Sequence, residues 1–161
     1  EKINGEFSCS YNNLQSLEGC PKIVEGDFRC YQNDLTSLIG SPEKIEGLFN
    51  CGENNLQSLE GCPNIIEYSF YCFCNKLTTL KGCPEKINGI FNCGDNDLTS
   101  LEGGPKIVYG SFSCSHNKLM SLEGCPEIIG GDFKCQGNPV LCDRDFEWLK
   151  QNCKIGGQIL R

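Results

Sequence analysis

The sequence predicts a repeat solenoid with a parallel β-sheet on its concave face, an extended, turn-rich convex side and a C-terminal capping helix. Three observations lead there. The frame Phe-x-Cys-x-x-Asn-x-Leu-x-x-Leu begins at Phe7, Phe28, Phe49, Phe70, Phe91 and Phe112, each 21 residues after the last, and a seventh copy at Phe133 loses the leucines after Asn138. Self-similarity at a fixed period means stacked copies of one supersecondary unit, each touching only its neighbours. Phe and Cys are separated by one residue, which places them on the same face of a short strand. About ten residues then remain for the return path, too few for a strand, two loops and a helix, and rich in Gly and Pro.

The chain starts in the middle of a repeat. Glu1 aligns with Lys22, Glu43 and Asn64, and Ile3 aligns with Val24, Ile45, Ile66, Ile87, Val108 and Ile129. An uncovered first turn offers unpaired strand-edge groups, so self-association through this N-terminal edge is one expectation. Within each repeat the Phe-x-Cys segment forms the strand, and stacking joins these strands into a parallel sheet at about 4.8 Å per turn. The Asn three residues after each Cys ends the strand and can satisfy backbone groups freed by the bend. Two leucines, such as Leu98 and Leu101, resume the core; Gly-Cys-Pro or a variant turns the chain, and Ile or Val re-enters. A glycine recurs two residues before the Phe, but Tyr68 replaces it in the fourth copy, so a strictly glycine-only backbone is not expected there. Roughly five apolar side chains per turn feed a thin, long core, each contributing about 1.5–3 kcal/mol on full burial before chain entropy is subtracted.

Residues 1–139 thus read as a solenoid of about seven turns, and residues 140–161 as a cap with a helix over about 143–153. Asp143 can cap that helix, Asp145 and Glu147 lie at its positive end, and Phe146, Leu149 and Cys153 share one face. Gly156-Gly157 are expected to stop it. Its task is to close the open end of the core.

Fourteen cysteines would ordinarily suggest a secreted disulfide scaffold. Seven of them, from Cys9 to Cys135 at intervals of 21, instead fill one inward column, while Cys20, Cys62, Cys83 and Cys125 precede repeat prolines. A residue repeated in every turn faces its own copies and has no dedicated partner. Reduced cysteine is small, apolar and readily buried, so a ladder of free thiols and a reducing, cytoplasmic compartment are expected, with disulfides between turns as the alternative. Net charge is −7 with Lys and Arg scattered, which does not support a phosphate-binding surface, and no nucleic-acid partner is expected. No apolar run approaches the length of a membrane-spanning helix, and no membrane partner is expected.

The frame resembles the leucine-rich repeat pattern, with Phe and Cys in two strand leucine positions, over residues 3 to 141. It is most similar to the short Leu-Thr-Ser-Leu-x-Gly-x-Pro repeats of bacterial and phage reading frames, and more distantly to the short-repeat domains of bacterial effectors. The tail from Asn138 to Cys153 is also similar to the C-terminal caps of extracellular leucine-rich repeat proteins, although the Cys-x-Cys of that cap is absent. The resemblance implies a leucine-rich repeat arc that binds protein ligands on its concave sheet. A non-catalytic protein–protein interaction module, of the kind a phage or bacterial effector or inhibitor uses, is the function it implies. A structural, self-assembling protein stacking through the N-terminal edge is the alternative.

Residues flanking Phe and Cys in each strand are expected on that concave face. Among them Leu48, Tyr71, Phe73 and Ile90 fall in three consecutive repeats, with Tyr31 one further out, and Arg29, Asn50 and Asn92 share the column of Tyr71. Gly52 and Gly94 leave space on either side of Phe73. Aromatic residues on an exposed sheet have the composition of interface hot spots, although Tyr and Phe are also common strand residues that pack across rungs.

Other chemistry finds little footing. His116 is the only histidine, and its neighbouring serines, Ser113 and Ser115, stand at positions filled in every repeat, so a catalytic constellation is not expected. Cys72, Cys74 and Cys83 do not follow the paired spacings of structural zinc sites, and Cys72 belongs to the inward ladder. Cys74 departs from that ladder and is expected as an exposed thiol. Glu18, Glu60, Glu102 and Glu123, interrupted by Ile39 and Lys81, read as a solvated convex edge. No cofactor and no metal are expected.

Overall fold

A computed structural model describes all of residues 1–161 as a β-solenoid with 21-residue turns and a single helix near its C-terminal end. Strands come two per turn, each two residues long. They are β1 (Lys2–Ile3) and β2 (Phe7–Ser8), β3 (Ile23–Val24) and β4 (Phe28–Arg29), β5 (Lys44–Ile45) and β6 (Phe49–Asn50), and β7 (Ile65–Ile66) and β8 (Phe70–Tyr71). Then follow β9 (Lys86–Ile87) and β10 (Phe91–Asn92), β11 (Ile107–Val108) and β12 (Phe112–Ser113), and β13 (Ile128–Ile129) and β14 (Phe133–Lys134). After the helix α1 (Asp143–Asn152) come β15 (Lys154–Ile155) and β16 (Ile159–Leu160).

The even-numbered strands form one eight-stranded parallel sheet, and the odd-numbered strands form two of four, β1–β3–β5–β7 and β9–β11–β13–β15. Register follows the repeat: Phe28 pairs with Phe49, Phe49 with Phe70 and Phe70 with Phe91. The rings stack through the whole column with centroids 5.2–5.7 Å apart, and every one from Phe28 to Phe133 is fully buried. Cys30, Cys51, Cys72, Cys93 and Cys114 line the core beside them with no exposure, and all fourteen cysteines are free thiols. Burial pushes the Cys51, Cys72 and Cys114 thiols well above their ordinary range, and that of Cys135 up to about 11.

The asparagine column does the work expected of it. The Asn54 carboxamide Nδ2 reaches the carbonyls of Cys30 in the turn below, at 3.1 Å, and of Gly52 in its own turn, at 3.0 Å. Its Oδ1 accepts from the N–H of Leu35 at 3.0 Å. One buried side chain thus closes a bend and ties two turns together, and Asn33, Asn75, Asn96, Asn117 and Asn138 repeat the pattern. The bend has a further feature that the repeat frame does not announce. Tyr11, Gln32, Glu53, Cys74, Asp95 and His116, each just before its Asn, hold left-handed backbone conformations with φ of 49–57°, and the seventh copy has Gly137 there with φ 71°. Each non-glycine residue costs on the order of 1 kcal/mol in that conformation, which the Asn bonds offset.

The glycine before each strand serves close approach. A Cβ on Gly26 would lie 2.6 Å from the Gly5 carbonyl carbon, and one on Gly110 equally close to that of Gly89. Neither has a left-handed φ, in agreement with the reading from Tyr68. Tyr68 is the one residue of this column with a side chain, and the odd-numbered ladder breaks immediately after its turn, between β7 and β9. There the Asn88 side chain donates to the Glu67 carbonyl at 3.2 Å. A backbone bond from Gly89 N–H to the Tyr68 carbonyl, at 2.9 Å, resumes contact at the corner.

The C-terminal segment departs from the sequence reading in two respects. Cys142, not Asp143, occupies the N-cap position of α1; its N–H donates to Asp145 Oδ2 at 2.9 Å, while Asp143 is almost fully exposed and pairs with Arg161. That bond to the Cys142 N–H holds the Asp145 carboxyl below its usual range. Gly156 and Gly157 do not stop the helix, which has already ended at Asn152. They form the corner between β15 and β16, which extend both ladders by another turn. Lys154-Ile155-Gly156-Gly157-Gln158-Ile159 therefore repeats Ile128-Ile129-Gly130-Gly131-Asp132-Phe133, and the helix is an excursion between turns. Phe146, Leu149 and Cys153 lie buried against the core as their spacing predicts, and the Arg161 guanidinium sits 3.9 Å above the Phe146 ring.

Candidate functional site

The outward face of the eight-stranded sheet gathers most of the residues that the repeat leaves free. Parallel register sets Arg29, Asn50, Tyr71 and Asn92 side by side in four successive strands. All four side chains are half-buried. Asn50 Oδ1 accepts from the Gly52 N–H at 3.0 Å, and Asn92 Oδ1 accepts from the Gly94 N–H at 3.0 Å. Each carboxamide is thereby pinned by its oxygen. Phe73 lies across Gly52, so closely that a Cβ on Gly52 would meet its ring at 2.9 Å. The Phe73 ring thus fills space that the glycine one turn below leaves open.

Leu48 and Ile90 occupy the position before the Phe in the turns on either side of Ser69. The Ser69 side chain is buried and its Oγ accepts from the Ile90 N–H at 2.9 Å, while Asp27 Oδ1 accepts from the Leu48 N–H at 2.8 Å. From Asp27 to Ser111 this column therefore alternates between polar residues that bond the next corner and the apolar Leu48 and Ile90. Ser69, which strand alternation alone places on the outer face, is withdrawn from it for that reason. Ile90 is 39% exposed, and Leu48 is half-buried.

Two expected members stand apart. Arg29 is engaged by Glu6 and by Asp27, the latter at 2.6 Å, and its guanidinium is held above its usual range chiefly by the hydrogen bond to Glu6. Tyr31 is separated from Phe73 by Gly52 and packs edge-on against Tyr11, with ring centroids 4.8 Å apart. The patch proper is Leu48, Asn50, Tyr71, Phe73, Ile90 and Asn92.

The structure also exposes apolar residues outside that set. Tyr68 is 61% and Ile65 44% exposed beside the ladder break, and Tyr109, 50% exposed, lies under the Lys86 ammonium at 5.1 Å from its ring centroid. A shallow groove of about 480 Å³ follows the break, lined by Asn64, Ile65, Ile66 and Glu67 on one side and by Pro84, Glu85, Lys86 and Asn88 on the other. Column alignment flags Tyr68 as a departure from Gly and Tyr109 as one from the Glu or Asn of most turns; Ile65 gives no such signal, since Ile23, Ile107 and Ile128 share its position.

Cys74 is exposed, in the left-handed bend beside Phe73, and its thiol is raised by partial desolvation and by the charges of Asp95 and Glu53. A thiol shifted in that direction is a poor nucleophile at neutral pH. His116, in the same column, is exposed and its ring lies over Gly137. No family model, curated protein or solved structure matches this chain.

Proposed function

We propose that this chain is a non-catalytic, protein-binding module of the leucine-rich repeat kind, with its partner held on the outward face of the eight-stranded sheet. The observation that carries the reading is the aromatic pair Tyr71 and Phe73 on this face, flanked by Leu48 and Ile90, with the Phe73 ring seated against Gly52 of the turn below. Large rings with few rotatable bonds are what interface hot spots are made of, because they bury much area for little ordering entropy. The free thiols of the Cys column fit residence in a reducing compartment, since most are buried and protonated at neutral pH. An effector or inhibitor role, of the sort the repeat resemblance implies, is the finer form of this reading.

The test compares immobilised wild-type protein with Tyr71→Ala/Phe73→Ala in capture from lysate, followed by titration of the retained species. The double variant is expected to lose at least about tenfold in affinity. Its circular dichroism and cooperative unfolding should persist, because neither ring is part of the buried core. Equal capture by both proteins would overturn the reading.

A further inference from the structure

We infer that Cys125 and Cys153 are a thiol–disulfide exchange site, which an oxidised low-molecular-weight thiol converts into a bond joining the end of α1 to the turn beneath it. The pair belongs to the cap and shares no residue with the face around Tyr71. Pairing of Lys154 with Ile128 sets Cys153 opposite Glu127, at a position that every earlier turn, from Glu1 to Glu127, fills with Glu, Lys or Asn. Cys153 departs from that polar column and is turned inward, only 9% exposed. There it meets Cys125, 8% exposed in the same core cluster, whose thiol donates toward the Cys153 sulfur.

The thiols of the inward ladder are engaged differently. Cys51, Cys72, Cys93, Cys114 and Cys135 each donate to a carbonyl of the next turn at 3.4–3.6 Å, and the first four have no exposure. Cys9 and Cys20 also adjoin, but within a single turn, where a bond would tie no two turns together. Cys153 has an approach from solvent as well. A groove of about 360 Å³ runs against it, lined by Glu127 and Ile128 on one side and by the chain from Lys150 to Lys154 on the other.

The environment divides the labour between the two sulfurs. The hydrogen bond from Cys125 holds the Cys153 thiol below its ordinary range, with burial and the Glu127 carboxylate opposing it. Burial, and after it the Cys153 sulfur, keeps the Cys125 thiol well above that range. Cys153 is therefore the attacking sulfur. As a thiolate it displaces one half of glutathione disulfide, forming a mixed disulfide and releasing a glutathione that takes up the proton. Cys125 then attacks the Cys153 sulfur, gives up its own proton and expels the second glutathione. The protein loses two electrons and two protons, and one disulfide is reduced to two thiols. Forming the mixed disulfide also removes the charge of the Cys153 thiolate, one of the effects that hold the Cys125 proton in place. The finished bond closes residues 125 to 153 into a loop containing all of α1, and so limits how far the helix can part from the core.

The experiment uses the whole chain, fully reduced and then held in glutathione buffers stepped from reduced to oxidised, with free thiols alkylated before digestion without reductant. Tryptic peptides 119–134 and 151–154, each with a single cysteine, should appear joined, and dithiothreitol should separate them. Amide exchange across α1 should slow by about tenfold in the joined form. Cys125→Ser should stop at a glutathione adduct on Cys153, whereas Cys153→Ser should leave Cys125 without an adduct. Mapping of the wild-type chain tests the pair even if a serine variant does not fold. Peptides that stay unjoined at every buffer ratio, Cys153 bonded to Cys135 or Cys142, an adduct on Cys125 in place of Cys153, or unchanged α1 exchange in the joined form would each overturn the inference.

Discussion

The solenoid carries two ladders built by the same 21-residue repeat, and only one of them runs unbroken. The even-numbered strands pair through eight turns without interruption, while the odd-numbered strands stop pairing between Ile65–Ile66 and Lys86–Ile87. The unbroken ladder is backed by columns that hardly vary: Phe rings in contact, Cys thiols beside them, and Asn carboxamides bonding across each pair of turns. The broken one has a single inward column of Ile and Val, and the first residue of each of its strands varies between Lys and Ile. Continuity of a parallel ladder thus depends on how many side-chain columns reinforce it, because two-residue strands contribute too few backbone bonds to hold register alone. Where reinforcement is thin, one corner side chain coincides with the interruption.

Three measurements separate the ladders, in descending order of effect. The largest is alkaline pH. Buried thiols line the unbroken ladder, and their folded pKa values lie above the ordinary value of about 8.5, so the stability they contribute is fully present below that pH and is lost as pH rises toward the folded values. Each such thiol should withdraw about 1.4 kcal/mol per pH unit above about 8.5. Urea denaturation under reducing conditions from neutral to alkaline pH should therefore show a steep fall in the unfolding midpoint. A midpoint flat through that window would mean the Cys column is not buried as described.

Next is Asn96→Ala. It removes the partner of the Leu77 N–H and of the Cys72, Cys93 and Gly94 carbonyls, and should cost about 3 kcal/mol in chemical denaturation. Asn88→Ala, at the break in the other ladder, should cost less than about 0.5 kcal/mol, because its bonds to Glu67 are exposed. Similar costs for the two would erase the proposed difference in reinforcement. Smallest is Tyr68→Gly, which restores the glycine column. It should slow hydrogen exchange of the Asn88 amide by about tenfold while shifting global stability by less than about 1 kcal/mol. No change at Asn88 would show that the interruption has another cause.

The candidate face was legible in part. Strand alternation and register were enough to place Asn50, Tyr71 and Asn92 together, because identical repeats leave only one in-register pairing. Arg29 and Tyr31 belong to the same columns, yet an ion pair and an aromatic contact at the first turns draw them away from the patch. Ser69 lies between Leu48 and Ile90 in the alignment, and only the need of the Ile90 N–H for an acceptor turns it inward. The continuation of both ladders past the helix was hidden because the last turn is five residues longer than the period, so Ile155, Gly157 and Ile159 fall out of the 21-residue frame.

The sequence by itself determined the period, the inward columns, the absence of helix from the return path and the face on which Tyr71 and Phe73 stand. Those follow from periodicity, since a residue repeated every turn meets its own copies wherever the turns stack. Distances between turns were needed for the rest. The glycine column exists because a Cβ would strike the turn below, the bend residues adopt left-handed conformations because the Asn carboxamides hold them there, and one ladder parts beside Tyr68 while the other does not. None of these is a property of one residue or of its neighbours in the chain; each is settled by what the adjacent turn places within a few ångströms.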